Sequence, residues 1–410
     1  MTSIEPASLN VSASDSRLSI LIVRPDRLGD VIVSTPVFEV IKRHYPRSRL
    51  MVMVREAVAP VIRGIPFIDD VLIYDLEGKE ARHSGLKGFF RLVSDIRRGG
   101  FRIAVTLQSE RRIALALYLA RIRYRIGPFS KIHSFIFYNR GVRQHRSLVE
   151  MHEADYNLQL LRRIGIRVGA RNIQTRVHIP SQVREDARVW LQQQGWNGGP
   201  IIVVHPGMGG SALNWPETHY IELIRAVLKE GTTVLITGGL AEAGLLERIR
   251  DALGTLNEKA IFYRGARPID FLGGLFSWCS LVVAPSTGPL HLAVALGKRV
   301  VTFFPPIRVQ SAIRWGPYLS DESRATIFVP EAYCGEDFEC RKQLCNYFPC
   351  MKSLTVPQAL EQVRRQLQAA TNEETNSTIH ASSAVPASLS RISSPEKQPF
   401  EKQESKPELN

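Results

Sequence analysis

Three loop-like segments hold residues whose types and spacing could do chemistry. The first, Arg24-Pro-Asp-Arg-Leu-Gly-Asp30, ends in a carboxylate at the threshold of a periodic apolar segment. There Asp30 reads either as an N-cap, accepting a backbone N–H, or as a general base that takes a proton from a substrate hydroxyl. The second, His205-Pro-Gly-Met-Gly-Gly-Ser211, is rich in glycine. It is either a plain tight turn or a cradle whose backbone N–H groups approach a phosphate closely. It is not a P-loop, because no Gly-Lys-Ser/Thr follows. The third is Ala284-Pro-Ser-Thr-Gly-Pro-Leu-His291. Pro289 suits a first helical turn, so orphan N–H groups stand beside the hydroxyls of Ser286 and Thr287, an arrangement suited to a pyrophosphate. His291, about one turn into that helix, reads as a binding group or as a structural histidine bonded to backbone.

All three segments fall where a short β-branched run gives way to a helix-length segment, which is the pattern of βαβ units and a parallel sheet. The first half is expected to hold strands at Leu18–Arg24, Leu50–Val54 and Arg102–Leu107, with helices at Val31–His44 and Arg111–Ala120. The second restarts with strands at Ile201–His205, Thr233–Thr237, Leu281–Ala284 and Arg299–Phe304. Its helices are expected at Glu217–Lys229, Ala241–Ala252, Ile269–Cys279, Pro289–Leu296 and Val356–Ala369. The segment 173–199 is read as a strand, a helix and a Gly-rich turn, with the junction between halves near its start. The expected organisation is an N-terminal arm (1–16), a first Rossmann-like domain (17–178), a second (179–370) and a disordered tail (371–410). The arm is polar and Ser-rich, and the tail has too little apolar surface to offset its ordering entropy. Ligands in such sheets sit beyond the carboxyl ends of the strands, so the cleft between the domains is the expected site.

Length and composition agree with this organisation. The chain has 410 residues, two to three times the usual domain size, and is 44% hydrophobic and 22% charged. No apolar run approaches the roughly 20 residues that span a bilayer, and no secretory signal pattern opens the chain. The net charge of +14 favours an anionic partner. The excess is local: Arg82 to Arg146 holds 15 Lys or Arg against two acids, Asp95 and Glu110. A stretch this one-sided faces something negative or is a solvated surface. It carries no nucleic-acid-binding signature, so nucleic acid is not expected as a partner.

The ordered motifs resemble those of glycosyltransferase family 9, the heptosyltransferases of lipopolysaccharide core synthesis, over about residues 18–368. They are Arg24-x5-Asp30 with Gly29-Asp30, Leu107-Gln108-Ser109, Met151-His-Glu-Ala-Asp-Tyr156, His205-Pro-Gly, Asn214-Trp-Pro-Glu217 and Ser286-Thr-Gly-Pro-Leu-His-Leu-Ala293. The resemblance implies the GT-B fold, α/β with two Rossmann-like domains facing a cleft. It also implies inverting, metal-independent transfer of a heptose or related sugar, with no cofactor, to a lipopolysaccharide inner-core acceptor. Asp30 takes the position of the family's base. Gly207, Met208, Glu242, Ser286, Thr287, Gly288 and His291 fall at nucleotide-sugar contacts, with ADP-heptose as the donor. The acceptor implied is an anionic glycolipid, which suits a cytoplasmic enzyme peripheral to the inner membrane. Arg27, Arg111, Arg112, Arg121 and Arg123 are the candidates for holding acceptor, phosphate or lipid headgroups.

Two positions depart from the family pattern. Leu213 stands where a phosphate-pairing lysine is common, two residues before Trp215-Pro216, and Ser286 stands where some members have Asp. An arginine such as Arg27 or Arg314 is expected to supply the missing cation, unless donor choice or activity differs. Cys334, Cys340, Cys345 and Cys350 are spaced by five, four and four residues and lack the two-residue spacing usual at zinc sites. The competing functions are a sugar-nucleotide epimerase of the same fold and a binding protein that has lost turnover.

Overall fold

The computed structural model describes residues 18–77, 80–168, 173–210, 212–335 and 337–383. The first half builds strands β1 (Ser19–Val23), β2 (Arg49–Val54), β3 (Asp70–Ile73), β4 (Ile103–Thr106), β5 (Tyr124–Pro128) and β6 (Arg140–Val142). Between and after them run α1 (Leu28–Ile32), α2 (Thr35–His44), α3 (Ala59–Ile62), α4 (Gly85–Arg98), α5 (Arg111–Leu119), α6 (Ile132–Phe137) and α7 (Glu153–Gln159). The second half opens with α8 (Ser181–Gln193) and adds β7 (Ile201–Val204), α9 (Glu217–Lys229), β8 (Thr233–Thr237), α10 (Ala243–Leu253) and β9 (Ala260–Tyr263). It continues with α11 (Ile269–Ser277), β10 (Leu281–Pro285), α12 (Gly288–Ala295), β11 (Arg299–Phe303), α13 (Ala312–Trp315), β12 (Ala325–Phe328) and α14 (Val356–Ser383).

Each half forms a parallel six-stranded sheet, ordered β3-β2-β1-β4-β5-β6 and β12-β11-β10-β7-β8-β9. Both orders have the doubly wound pattern in which the winding reverses between the first and fourth strands of the half. Those switch points, β1/β4 and β7/β10, open the crevices where a ligand can reach the strand ends. The loops singled out in the sequence follow β1, β7 and β10.

The central strands are apolar on both faces because helices cover both. In β1, Leu21 and Val23 pack with α4 and α5, while Ile20 and Ile22 point to the face covered by α1 to α3. That second face shares one continuous core with α8, α11 and α12 of the second half, so the two sheets are joined by apolar packing. The outer face of the second sheet packs Val204, Ile236, Val283 and Phe303 against α9 and α10.

The sequence-based elements need several corrections. The helix expected over Val31–His44 is two helices, and Asp30 lies inside the first rather than at its cap. Pro36 cannot donate the backbone hydrogen bond that would continue α1, so it serves as an early residue of α2 instead. The Ser34 and Thr35 hydroxyls fill the break by donating to the carbonyls of Asp30 and Ile32 at 2.7 Å each. Residues 173–180 form no strand. The final helix does not end at Ala369 but runs through Ser383, across a segment without Gly or Pro where helix propagation is unhindered. The expected arm and the remainder of the expected tail, 384–410, lie outside the described residues. Among the described residues no helix is long and apolar enough to cross a membrane.

Candidate functional site

The loop after β1 is organised by one buried arginine. Arg24 is the residue that follows the strand, and its side chain is withdrawn from solvent among three carboxylates. Nη2 donates to Asp30 Oδ1 at 2.9 Å and to Glu153 Oε1 at 3.3 Å, while Nε lies 2.9 Å from Asp26 Oδ2. Burial alone would weaken Arg24's hold on its proton, but Asp30, Glu153 and Asp26 reverse the sign. Burial, only partly offset by Arg24, pushes Asp26 up to about 6, with Asp30, Glu110 and Glu153 adding to the rise. Gln108, at the end of β4, completes the arrangement by donating its amide to both Asp26 oxygens at 2.7 and 2.8 Å. Asp30 is thereby fixed through Oδ1, with its carboxylate partly open to the cleft.

Glu153 extends this network into the second half. It is buried at the start of α7 and accepts from Arg146 Nη1 at 2.5 Å and from Arg314 Nε at 3.1 Å. Burial would raise Glu153, yet Arg146, Arg24 and Arg314 hold it below the usual carboxylate range. The adjoining residues reach across as well. His152 Nδ1 caps α7 by accepting from Ala154 N, so its Nε2 donates to the Gly316 carbonyl at 2.9 Å. Tyr318 donates its hydroxyl to Asp155 Oδ1 at 2.8 Å. The motif at 151–156 is thus a clamp between the first half and the segment around α13.

The second half supplies the opposite wall. Gly288, at the head of α12, sits against Leu28 and Gly29 at the head of α1. A Cβ on Gly29 would lie 2.8 Å from the His291 ring, so glycine permits this close approach. Thr287 precedes α12 and donates to the Pro285 carbonyl at 3.2 Å rather than capping the helix, which leaves the first N–H groups of α12 facing the cleft. Burial and the nearby His152 drive His291 down to about 3, which makes it a neutral imidazole. After β7, Gly207 leaves room for the Glu242 carboxylate: its Cβ would fall 1.9 Å from Glu242 Oε1. Glu242 Oε2 accepts from Gly239 N at 2.8 Å, and burial lowers His205 beside it against the pull of Glu242.

These walls enclose a cavity of about 650 Å³ lined by Arg27, Asp30, Gly207, Met208, Glu242, Ser286, Thr287, Gly288, His291 and Arg314. Two cavities adjoin it. One of about 970 Å³ runs past Glu242 toward Tyr263, Gly265 and Arg267. The other, about 1110 Å³, lies over the first half and is lined by Arg24, Asp26, Asp30, Arg55, Lys131, Phe135, Arg143 and Arg146. Arg27 lines all three, and Asp30 stands on the wall shared by the first and the last.

The structure therefore brings together Asp30, Arg27 and all seven residues expected at nucleotide-sugar contacts. It does not bring the other four arginines into these cavities. Arg112 is tied down beneath α4, donating to the carbonyls of His83 and Gly85 and lying over the Phe89 ring. Arg121 and Arg123 follow α5, at the amino ends of the strands, and line a separate groove with Phe90 and Tyr118. Arg111 is exposed at the start of α5. Besides Arg24, Arg27 and Arg314, the cavity over the first half is lined by Arg55, Lys131, Arg143 and Arg146, which were not distinguished in the sequence. Three of them belong to the basic stretch, but charge density alone does not say which members of a run face inward. Cys334, Cys340, Cys345 and Cys350 are free thiols. Burial and neighbouring thiols raise Cys334 and Cys350, and the described residues contain no cluster placed to hold a metal ion.

Comparison with known proteins agrees with the geometry. Residues 89–347 match the model of glycosyltransferase family 9 (heptosyltransferase). A Haemophilus influenzae protein named as a glycosyltransferase is 30% identical over 319 residues, which is 76% of this chain and 89% of that one. Lipopolysaccharide heptosyltransferase 2 of Escherichia coli K12 is 24% identical over 323 residues, covering 75% and 87% of the two chains. Among solved structures, the family 9 glycosyl transferase of Veillonella parvula superposes with a TM-score of 0.76 at 18% identity, over 88% of this chain and all of that one. The E. coli ADP-heptose lipopolysaccharide heptosyltransferase II gives 0.71 at 19%, over 86% and 99%. With the cleft, the paired sheets and the ordered motifs in place, the chain belongs to glycosyltransferase family 9, the heptosyltransferases.

Proposed function

We propose that the protein transfers a heptose, with inversion and without a metal, from ADP-heptose to an anionic lipopolysaccharide inner-core acceptor. The observation that carries this reading is the position of Asp30 on the wall between a cavity suited to a diphosphate and a second one ringed by arginines. The donor diphosphate lies against the exposed N–H groups of α12 and the Thr287 hydroxyl, and the nucleoside extends past Glu242 toward Tyr263. The acceptor enters over Arg143 and Lys131. Asp30 takes the proton of the acceptor hydroxyl as its oxygen attacks the anomeric carbon. The bond from that carbon to the diphosphate breaks on the opposite face, which inverts the centre. Arg27 and Arg314 compensate the leaving diphosphate's charge, in place of the lysine that Leu213 replaces.

The acceptor is lipid-linked in this reading, so the protein works at the cytoplasmic face of the inner membrane and binds it peripherally. The test is a screen of nucleotide sugars with a truncated-core lipopolysaccharide, with product stereochemistry read directly. Asp30→Asn is expected to lose about 10² to 10⁴ in rate while nucleotide affinity stays within a few-fold. Near-normal turnover in that variant would return Asp30 to a structural role.

A further inference from the structure

Helix α6 wears its polarity inside out. Its polar residues face the protein: Ser109 Oγ lies 2.8 Å from His133 Nε2 and 2.7 Å from Ser134 Oγ, which ties the helix to the end of β4. Its apolar residues face water, with Ile132 83%, Ile136 63% and Phe135 52% exposed. Positions i, i+3 and i+4 share one face of a helix, so the three form a single ridge. An exposed apolar ridge on a helix held this firmly marks an interaction surface.

The surroundings of the ridge indicate what covers it. Lys131 immediately precedes the helix, and Arg111 is close enough for both cations to depress His133, after burial itself. The stretch that contains them, Arg82 to Arg146, has a net charge of +13 from its 15 Lys or Arg and two acids. Two copies of this face would set cation against cation, whereas an anionic bilayer complements both the charge and the apolar ridge. Phe135 and Lys131 also line the cavity over Arg143 and Asp30, and Phe135 stacks on Phe129 with ring centroids 4.6 Å apart. The ridge is therefore continuous with the rim of that cavity.

We infer that α6 is a membrane-docking element. Ile132, Phe135 and Ile136 enter the headgroup boundary of an anionic leaflet, Lys131 and Arg111 engage its phosphates, and the mouth of the acceptor cavity is held against the lipid. This rests on the lipid-linked acceptor proposed above, but it is tested without sugar transfer. The full chain and an Ile132→Ser/Ile136→Ser double variant are co-sedimented with vesicles of phosphatidylethanolamine and phosphatidylglycerol, and with phosphatidylcholine alone, at low and high salt. The expected result is binding to the anionic vesicles by the unsubstituted chain and a loss of at least about ten-fold in the double variant. Thermal unfolding and ADP affinity should be unchanged, since neither isoleucine lines a cavity described above. Lys131→Glu should weaken binding to the anionic vesicles at low salt and reduce its salt sensitivity, while leaving the apolar part.

Equal vesicle affinity of the double variant, or no binding by the unsubstituted chain, overturns the inference. So does a self-associated form, seen in sedimentation velocity, that the double variant dissolves. If the double variant does not unfold cooperatively, Ile132→Asn alone supplies the same comparison. A chain that binds vesicles through α6 but transfers no sugar sinks the proposed function and leaves this inference standing.

Discussion

Replacing Glu153 by glutamine removes one negative charge from a buried group of three arginines. Arg24 keeps Asp26 and Asp30, but Arg146 and Arg314 lose their only carboxylate partner among the described residues. Removing one member of a buried pair costs about 3–5 kcal/mol, because the opposite charge stays desolvated. Glutamine retains an acceptor oxygen, which places the expected loss near the lower figure, about 3 kcal/mol. Domains of roughly 150–250 residues shift about 2–4 °C per kcal/mol, and a longer chain shifts less, so a fall in Tm of about 6 °C or somewhat under is expected at neutral pH.

Burial is the largest influence on both partners: it takes Arg146 down to about 10 even beside Glu153, whereas Arg146, Arg24 and Arg314 together hold the buried Glu153 below its ordinary range. The pH dependence has a definite sign. Glu153 is held below its ordinary 4.5, so its contribution is fully present above that value and is lost as pH falls through the lower folded value. The gap between the two proteins should therefore be widest near neutrality and close in acid. Scanning calorimetry from neutral pH to below 4 measures this. An unchanged Tm at neutral pH, or a gap that widens in acid, would refute the clamp as a coupled charge network.

Three further outcomes follow from the walls of the cleft. Thr287→Val should weaken nucleotide binding by about 1–3 kcal/mol in titration calorimetry, since the hydroxyl makes only a long bond to Pro285 and is available to a phosphate; unaltered affinity would assign the diphosphate to backbone amides. Gly207→Ala should displace the Glu242 carboxylate, break its bond to Gly239 and weaken nucleotide binding by a comparable amount, with little change in unfolding; wild-type affinity would remove Glu242 from the donor site. His291 is held at about 3 against an ordinary 6.5, so the unfolded chain binds more protons between these values and stability falls as pH drops below 6.5. At pH 5 that loss is about 2 kcal/mol, and His291→Asn should flatten this part of a urea-denaturation series; an unchanged slope would place the titrating group elsewhere.

The parts of this molecule that were legible in the sequence are those where local chemistry decides position. Gly-Asp after β1, His-Pro-Gly after β7 and Ser-Thr-Gly-Pro after β10 interrupt fully buried runs, so their location at strand ends follows from the pattern alone. The parts that were not legible depend on which distant segment covers a residue. Arg112 and Arg146 look alike in the chain, yet one braces two backbone carbonyls and the other joins Glu153 beside the cavity over the first half. Five strands are not expected from the sequence. Of these, β3, β6, β9 and β12 are short and stand at sheet edges, partly exposed, where no long apolar run is required. The fifth, β5, lies inside the first sheet but carries Arg125, Gly127 and Pro128 within its five residues. The break between α1 and α2 had a visible cause in Pro36, but a proline is also compatible with the start of a helix, which is the role it takes.

The clamp at 152–155 bears on how such a protein can be recombined. A graft of one protein's second half onto the first half of another would naturally be cut near residue 178, where the chain passes from one sheet to the other. That cut separates Glu153 from Arg314, Asp155 from Tyr318 and His152 from the Gly316 carbonyl. Residues 312–318 are contiguous with the second half but are addressed by side chains of the first, so they act as a key cut for a particular lock. A chimera should tolerate the exchange when this short segment is taken from the same parent as 152–155, and should lose its lobe alignment when it is not.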